Sequence, residues 1–214
     1  MNEIKSGLFQ FTVFIPPLDF TIHQYLLASD PAILFATGTA QQARQTLPEI
    51  QRVLGGKPLK YIFVSHMESD EAGGLAVFQQ AYPNVTVVCG ALAARELPGY
   101  GYEGALMVKK GGDTLVDGEL NLHFMDYPAE VHLQDGLLCY EANSGVFYSS
   151  DLMQRFGNGT GKAESCKWRE QVDAINDDRL GGQARAADLK AALRTISPDF
   201  VTVGHGFCLT CEEE

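Results

Sequence analysis

The chain has 214 residues, 45% of them hydrophobic, and a formal net charge of −11. A chain of this length buries a core without disulfide staples, and its composition excludes an intrinsically disordered protein. The acidic balance argues against nucleic acid and anionic membranes as main partners, and no run approaches the ~18 apolar residues of a membrane span.

The opening MNEIKSGLFQ lacks the apolar stretch and small-residue cleavage site of a signal peptide. Cysteines at 89, 139, 166, 208 and 211 form no even framework, so a reduced, cytoplasmic protein is expected. LFQFTVFI (8–15) is β-rich, and strand-like runs follow at TIHQYLLAS and AILFAT. After Gly38, AQQARQTLPEIQRVL reads as an amphipathic helix closed by Gly55-Gly56. KYIFVS (60–65) is a short apolar run of the buried-strand type, and EAGGLAVFQQAY reads as the helix after it. VTVVCG is another buried strand and ALAARELPG a short helix. Strand-like runs recur near 105–109, 114–116 and 119–126, with Gly111-Gly112-Asp113 as a hairpin turn. GLLCYEA and VFYSSD flank a turn at Asn143-Ser144-Gly145. RFGNGTGKAES reads as a loop over one end of the sheets. Helices are expected at 165–180 and 184–196, the second ended by Pro198, with DFVTVGHG as the last strand. Strands outnumber helices in two similar halves, which predicts two packed sheets with helices outside, in a single domain over 1–214.

The densest chemical signal is Ser65-His66-Met67-Glu68-Ser69-Asp70-Glu71, where a buried strand gives way to a helix. Alternate residues of an extended turn point to one side, so His66, Glu68 and Asp70 can converge on one point. Ligands this close in sequence hold a metal at little entropic cost, and imidazole with carboxylate suits zinc, iron or manganese. The plainer account places Asp70 and Glu71 at a positive helix N-terminus, with Glu68 solvated. His66 at the strand end and the tight Gly73-Gly74 opening favour the metal reading.

SHMESDEAGGL resembles the first motif of the metallo-β-lactamase superfamily, H-x-H-x-D-H. A Glu in place of the second His resembles one branch, the flavodiiron proteins and the single-domain oxygen-binding di-iron proteins. The likeness continues in His132-Leu133-Gln134-Asp135-Gly136 with Tyr140 closing the run, in Phe147-Tyr148-Ser149-Ser150-Asp151, and in Gly204-His205-Gly206. These motifs run in order over almost the whole chain. The resemblance implies an αββα sandwich of two mixed β-sheets with flanking helices. It also implies roles: His66, Glu68 and His132 on a first metal, Asp70 and His205 on a second, and Asp151 bridging both. Asp151 and Asp70 would then lie closest to the reaction.

Two departures stand out. The family's second-metal His after Asp70 is Glu71 here, which either ligates, yields to water or leaves that metal weakly held. Ala36 stands where the family often has the Asp of a D-T-G turn, removing a supporting contact but no ligand. The four acids Glu68, Asp70, Glu71 and Asp151 would neutralise two divalent ions. That arrangement is cheaper in a low-dielectric pocket, and carboxylate-rich ligands without Cys lean to iron or manganese over zinc. The expected cofactors are therefore two metal ions, iron first, with no FMN in this chain.

Lesser signals carry plainer readings. His123 and His23 sit in strands and read as structural. Cys208-Leu209-Thr210-Cys211 is a lone C-x-x-C and reads as free thiols more than a redox pair. GNGTG (157–161) lacks a P-loop ending and reads as a loop near the metals. Phe156, Trp168 and Phe207 either line the pocket or pack in the core.

Three functions fit this reading. One is a non-haem di-iron protein that binds or reduces O₂, nitric oxide or peroxide, with electrons from a separate redox protein. A second is a metallohydrolase of an ester, thioester or phosphodiester, in which one metal polarises the substrate. The third is a sensor that passes an oxidant signal to another protein. A homodimer that closes the pocket is a further expectation.

Overall fold

The computed structural model describes residues 1–128, 136–177 and 180–212. Two seven-stranded sheets face each other. The first runs in spatial order β1 (Asn2–Lys5), β2 (Leu8–Ile15), β3 (Phe20–Leu27), β4 (Ala32–Phe35), β5 (Leu59–Val64), β6 (Thr86–Cys89) and β7 (Ala105–Val108). Its first four strands are antiparallel and β4 to β7 are parallel. The second sheet runs β12 (Ala163–Lys167), β14 (Cys208–Glu212), β13 (Phe200–Thr202), β11 (Val146–Tyr148), β10 (Gly136–Glu141), β9 (Leu120–Tyr127) and β8 (Thr114–Asp117). Both sheets are mixed and helices flank them, as the αββα expectation required.

Three apolar clusters build the layers. The central one packs Tyr25, Phe35 and Phe63 of the first sheet against Phe124, Cys139 and Tyr148 of the second. A second lies between the outer face of the first sheet and the helices α1 (Ala40–Leu54), α3 (Leu75–Ala81) and α4 (Ala91–Glu96). A third lies between the second sheet and α5 (Trp168–Asp173) and α6 (Gln183–Leu193). The parallel strands β4 and β5 are therefore covered on both faces, which is why AILF and KYIFV read as continuous apolar runs. The α1 helix starts on a capping box, in which Thr39 accepts from the Gln42 N–H and Gln42 accepts from the Thr39 N–H.

Several expectations need correction. Gly111-Gly112-Asp113 is not a hairpin turn: β7 pairs with β6 and β8 with β9, so this segment crosses from one sheet to the other. The hairpin at this point is β8–β9, turning through Gly118 at φ +55°. EAGGLAVFQQAY is two helices, α2 (Ser69–Ala72) and α3, separated at Gly73-Gly74. The helix expected at 165–180 begins only at Trp168, because 163–167 forms edge strand β12. DFVTVGHG is not the last strand, since the C-x-x-C segment forms β14. No helix of the described residues is long and apolar enough to cross a membrane.

β5 of the first sheet and the neighbouring parallel strands β11 and β13 of the second all end at one rim. The segments that follow them carry His66, Asp151 and His205. Leu137 N–H donates to the Ser65 carbonyl at 2.9 Å and joins the two sheets there.

Candidate metal centre

His66 is reached two residues after β5, and α2 begins only at Ser69. The turn between them is held by Thr37-Gly38. Thr37 N–H donates to the Glu71 carbonyl and Gly38 N–H to the Asp70 carbonyl, both at 2.8 Å. The Thr37 hydroxyl donates to the Glu71 carbonyl at 2.9 Å and accepts from Gly74 N–H at 3.0 Å. Gly74 has to be glycine, because a Cβ there would lie 2.5 Å from the Ala43 Cβ and 2.7 Å from the Thr37 carbonyl oxygen. Ala36 sits beside this turn in the left-handed region at φ +58°.

The candidate ligand side chains fall into two half-sites joined by one carboxylate. His66 Nε2 lies 3.7 Å from Glu68 Oε2 and 3.6 Å from Asp151 Oδ2. His205 Nε2 lies 3.3 Å from Asp70 Oδ2 and 3.2 Å from Asp151 Oδ1. Asp151 thus presents one oxygen to each histidine. Ligand atoms of His66, Glu68 and Asp151 all lie within 4.8 Å of one another. Donors about 2.0–2.2 Å from a shared ion are separated by roughly 3–3.6 Å, close to the spacings found. His66 Nε2 is buried and has no hydrogen-bond partner among the described residues. His205 Nδ1–H donates to the Thr21 carbonyl at 2.7 Å, which turns the other ring nitrogen toward Asp70 and Asp151. With a proton on Nε2 the imidazole balances the two carboxylates; with that proton gone its lone pair and the two carboxylates form a donor set that fits a metal cation.

The electrostatics agree. Burial opposes charge on His66, but Glu68, Glu71 and Asp151 outweigh it and raise its pKa to about 9. His205 is likewise raised against burial, by Asp151 and Asp70. Burial pushes Asp70 up, with His205 pulling the other way. Asp151 is held below the ordinary carboxylate value, because His205 and His66 overcome its burial. The side chain of Glu68 is 46% exposed, so the first half-site opens to solvent on that side.

Glu71 lies behind the half-sites and is buried. Its Oε1 accepts from the Tyr148 hydroxyl and from the Ser150 hydroxyl at 2.9 Å, and its Oε2 accepts from Ser65 N–H at 3.3 Å. The Ser150 Oγ is also 3.4 Å from His66 Nδ1, so Glu71 reaches that imidazole through a hydroxyl. Ser150 adopts φ +48°, an unusual conformation for a non-glycine residue that aims this hydroxyl and the following Asp151.

Sequence reading missed several supporting residues. Phe20 stacks on the His205 ring at 4.2 Å between centroids. Thr21, Tyr148 and Ser150 orient ligands or Glu71 across more than seventy residues of chain. A polar cluster such as Tyr148-Ser149-Ser150 beside a ligand was the one available hint. His23 accepts from Thr12 at Nδ1 and donates from Nε2 to the Gly206 carbonyl, both at 2.8 Å, so it is structural and steadies the His205 loop. His123 is bonded to Asn121 on β9. Of the three aromatic residues considered, Trp168 is core, donating to the Leu193 carbonyl. Phe156 is exposed and tilts against Phe20. Phe207 packs beside Gly157 and under Lys162. Gly159 lies directly against the Gly206 carbonyl, which puts the GNGTG loop beside His205. Tyr140 donates to the Ser197 carbonyl. His132 and Asp135 lie outside the described residues; Tyr127 and Gly136 on either side of that segment pair at the rim where β11 ends.

A model of the ODP family of beta-lactamases matches residues 20–205. The chain belongs to the ODP beta-lactamase family. Within the metallo-β-lactamase superfamily, this ODP chain sides with the flavodiiron branch. It is 28% identical over 132 residues to the anaerobic nitric oxide reductase flavorubredoxin of Klebsiella pneumoniae, covering 60% of the chain and 27% of that protein. It is 24% identical over 206 residues to the rubredoxin-oxygen oxidoreductase of Megalodesulfovibrio gigas, covering 90% of the chain and 50% of that protein. The solved rubredoxin oxygen:oxidoreductase of Desulfovibrio gigas superposes with a TM-score of 0.78 at 20% identity, over 98% of this chain and 57% of that one. The chain therefore spans half or less of the length of these curated relatives.

Proposed function

We propose that this ODP-family chain holds two metal ions, iron in the cell, and uses them to bind or reduce a small oxidant such as O₂, nitric oxide or peroxide. The observation that carries the reading is Asp151, whose two oxygens each face a different histidine half-site. His66, Glu68 and Asp151 would hold one ion, with His132 as the fourth ligand implied by the family pattern. Asp70, His205 and Asp151 would hold the other. Two ferrous ions, when bound, supply electrons and open positions for a small oxidant. The flavorubredoxin and the rubredoxin-oxygen oxidoreductase are named for nitric oxide and oxygen chemistry, which supports this substrate class and a separate redox protein as electron donor.

The chain's own residues prepare the site. Asp151 sets the separation of the two half-sites. Thr21 fixes the tautomer of His205, and Phe20 covers its ring and keeps water from that face. Glu71 has both oxygens engaged by neighbouring donors, so it serves as an anchor for Ser150 and Tyr148 and leaves its family position on the second ion to solvent. A metallohydrolase draws less support, because the relatives are reductases and Glu68 replaces the second histidine of the superfamily motif. The test is to titrate anaerobically purified, iron-loaded protein with O₂ and with nitric oxide. A new near-ultraviolet or visible band at about one oxidant per chain is expected; no spectral response, with metal-dependent turnover of esters instead, would overturn the proposal.

A further inference from the structure

The C-x-x-C segment lies on a strand, and that decides what its thiols can do. Successive side chains of a strand point to opposite faces, so residues three apart cannot meet. Cys208 faces the central core, 3.3 Å from the Tyr25 hydroxyl and 3.7 Å from Gln10. Cys211 faces the other way, toward the cluster under α5 and α6. There it meets Cys166. β12 and β14 run parallel with Cys166 directly opposite Cys211, and the two sulfurs lie 3.7 Å apart. Both are free thiols, Cys211 the more exposed of the two.

We propose that Cys166 and Cys211 form a reversible disulfide that staples the edge strand β12 to β14. Directly opposed residues on paired strands meet the Cα separation a disulfide requires without backbone movement. The oxidant is a peroxide. The Cys211 sulfur attacks one peroxide oxygen, the O–O bond breaks, and a sulfenic acid and one water result. The Cys166 sulfur then displaces the hydroxyl as a second water and the S–S bond forms. Two thiols are oxidised by two electrons and one peroxide is reduced to two waters; a dithiol reductant reverses the change. Burial and the neighbouring thiol push Cys211 up to about 12, so the thiolate is scarce and the reaction is slow.

The staple bears on the site's surroundings. β12 begins one residue beyond the GNGTG loop, after Lys162, and Gly159 of that loop lies against the Gly206 carbonyl, while β14 follows directly on Phe207. A cross-link between residues 45 apart removes chain entropy from the unfolded state and ties the strand after the GNGTG loop to the strand after the His205 loop.

The test uses the full chain, reduced and then exposed to hydrogen peroxide, with diamide in parallel as an oxidant that acts on thiols without iron. Free thiols are alkylated after denaturation and the digest is mapped. A Cys166–Cys211 linked peptide is expected with both oxidants, together with a rise in melting temperature of roughly 5–10 °C that dithiothreitol abolishes. Cys166→Ser and Cys211→Ser should each abolish the link and the rise while leaving metal content unchanged, and Cys208→Ser should retain the link. A Cys208–Cys211 link, or Cys211 proceeding to sulfinic acid with Cys166 still free, would overturn the proposal.

Discussion

Asp151 does the most at the scale of single residues. Its two oxygens lie 3.6 and 3.2 Å from the two imidazoles, and no neutral side chain of that size offers two equivalent anionic oxygens. Asp151→Asn should therefore bind at most one divalent ion per chain, where the parent is expected to bind two, by calorimetric titration of metal-free protein with ferrous ion. Glu71 makes a contrasting case. Glu71→Gln would set an amide N–H₂ against groups that are themselves donors, the Tyr148 and Ser150 hydroxyls or Ser65 N–H, at a cost of about 1–3 kcal/mol. A lower urea midpoint with metal content unchanged is expected, whereas loss of one ion would make Glu71 a ligand. His66, Glu68 and Asp70 were legible because they are local, spaced by two along one turn. Asp151 and His205 were legible only through the ordered family motifs. Phe20 and Thr21 were not legible, since their contacts to His205 span 185 and 184 residues and leave no local pattern.

At the scale of elements, the ligand turn depends on how closely α3 approaches the Thr37 turn and α1. Gly74→Ala would force a methyl into the Ala43 Cβ and the Thr37 carbonyl, costing about 1–3 kcal/mol and displacing the Asp70–Glu71 segment that Thr37 and Gly38 hold. Chemical denaturation should show that loss, with weaker metal affinity alongside it. The strands and α1 were legible because their periodicity is strong and their ends carry turn or capping residues. Gly111-Gly112-Asp113 misled because the same turn residues serve a crossing between sheets, and only long-range pairing distinguishes the two. The 163–167 segment misled as well. It is an edge strand with a mostly exposed pattern, AESCK, which carries neither alternation nor a helical stripe. The C-x-x-C motif pointed to redox chemistry, but strand geometry gives Cys211 a partner that sequence proximity could not name.

For the whole molecule, acid stability is set in part away from the candidate metal ligands. His23 is buried with both ring nitrogens bonded, and burial lowers its pKa from the ordinary 6.5 to about 4. Its folded value is depressed, so its contribution is fully present above about pH 6.5 and is lost as pH falls toward about 4, a swing of about 3 kcal/mol. His23→Gln should lose less stability than the parent between pH 7 and pH 4.5, read from urea midpoints at the two pH values; equal losses would remove His23 from the account. Four of the chain's 27 acidic side chains, Glu68, Asp70, Glu71 and Asp151, gather at one rim around His66 and His205, where bound cations would offset their charge. The most direct test is therefore metal analysis of the protein purified without air from its own host. About two iron ions per chain are expected. Stoichiometric zinc, or a single ion per chain with Asp151 dispensable for holding it, would contradict the di-iron proposal.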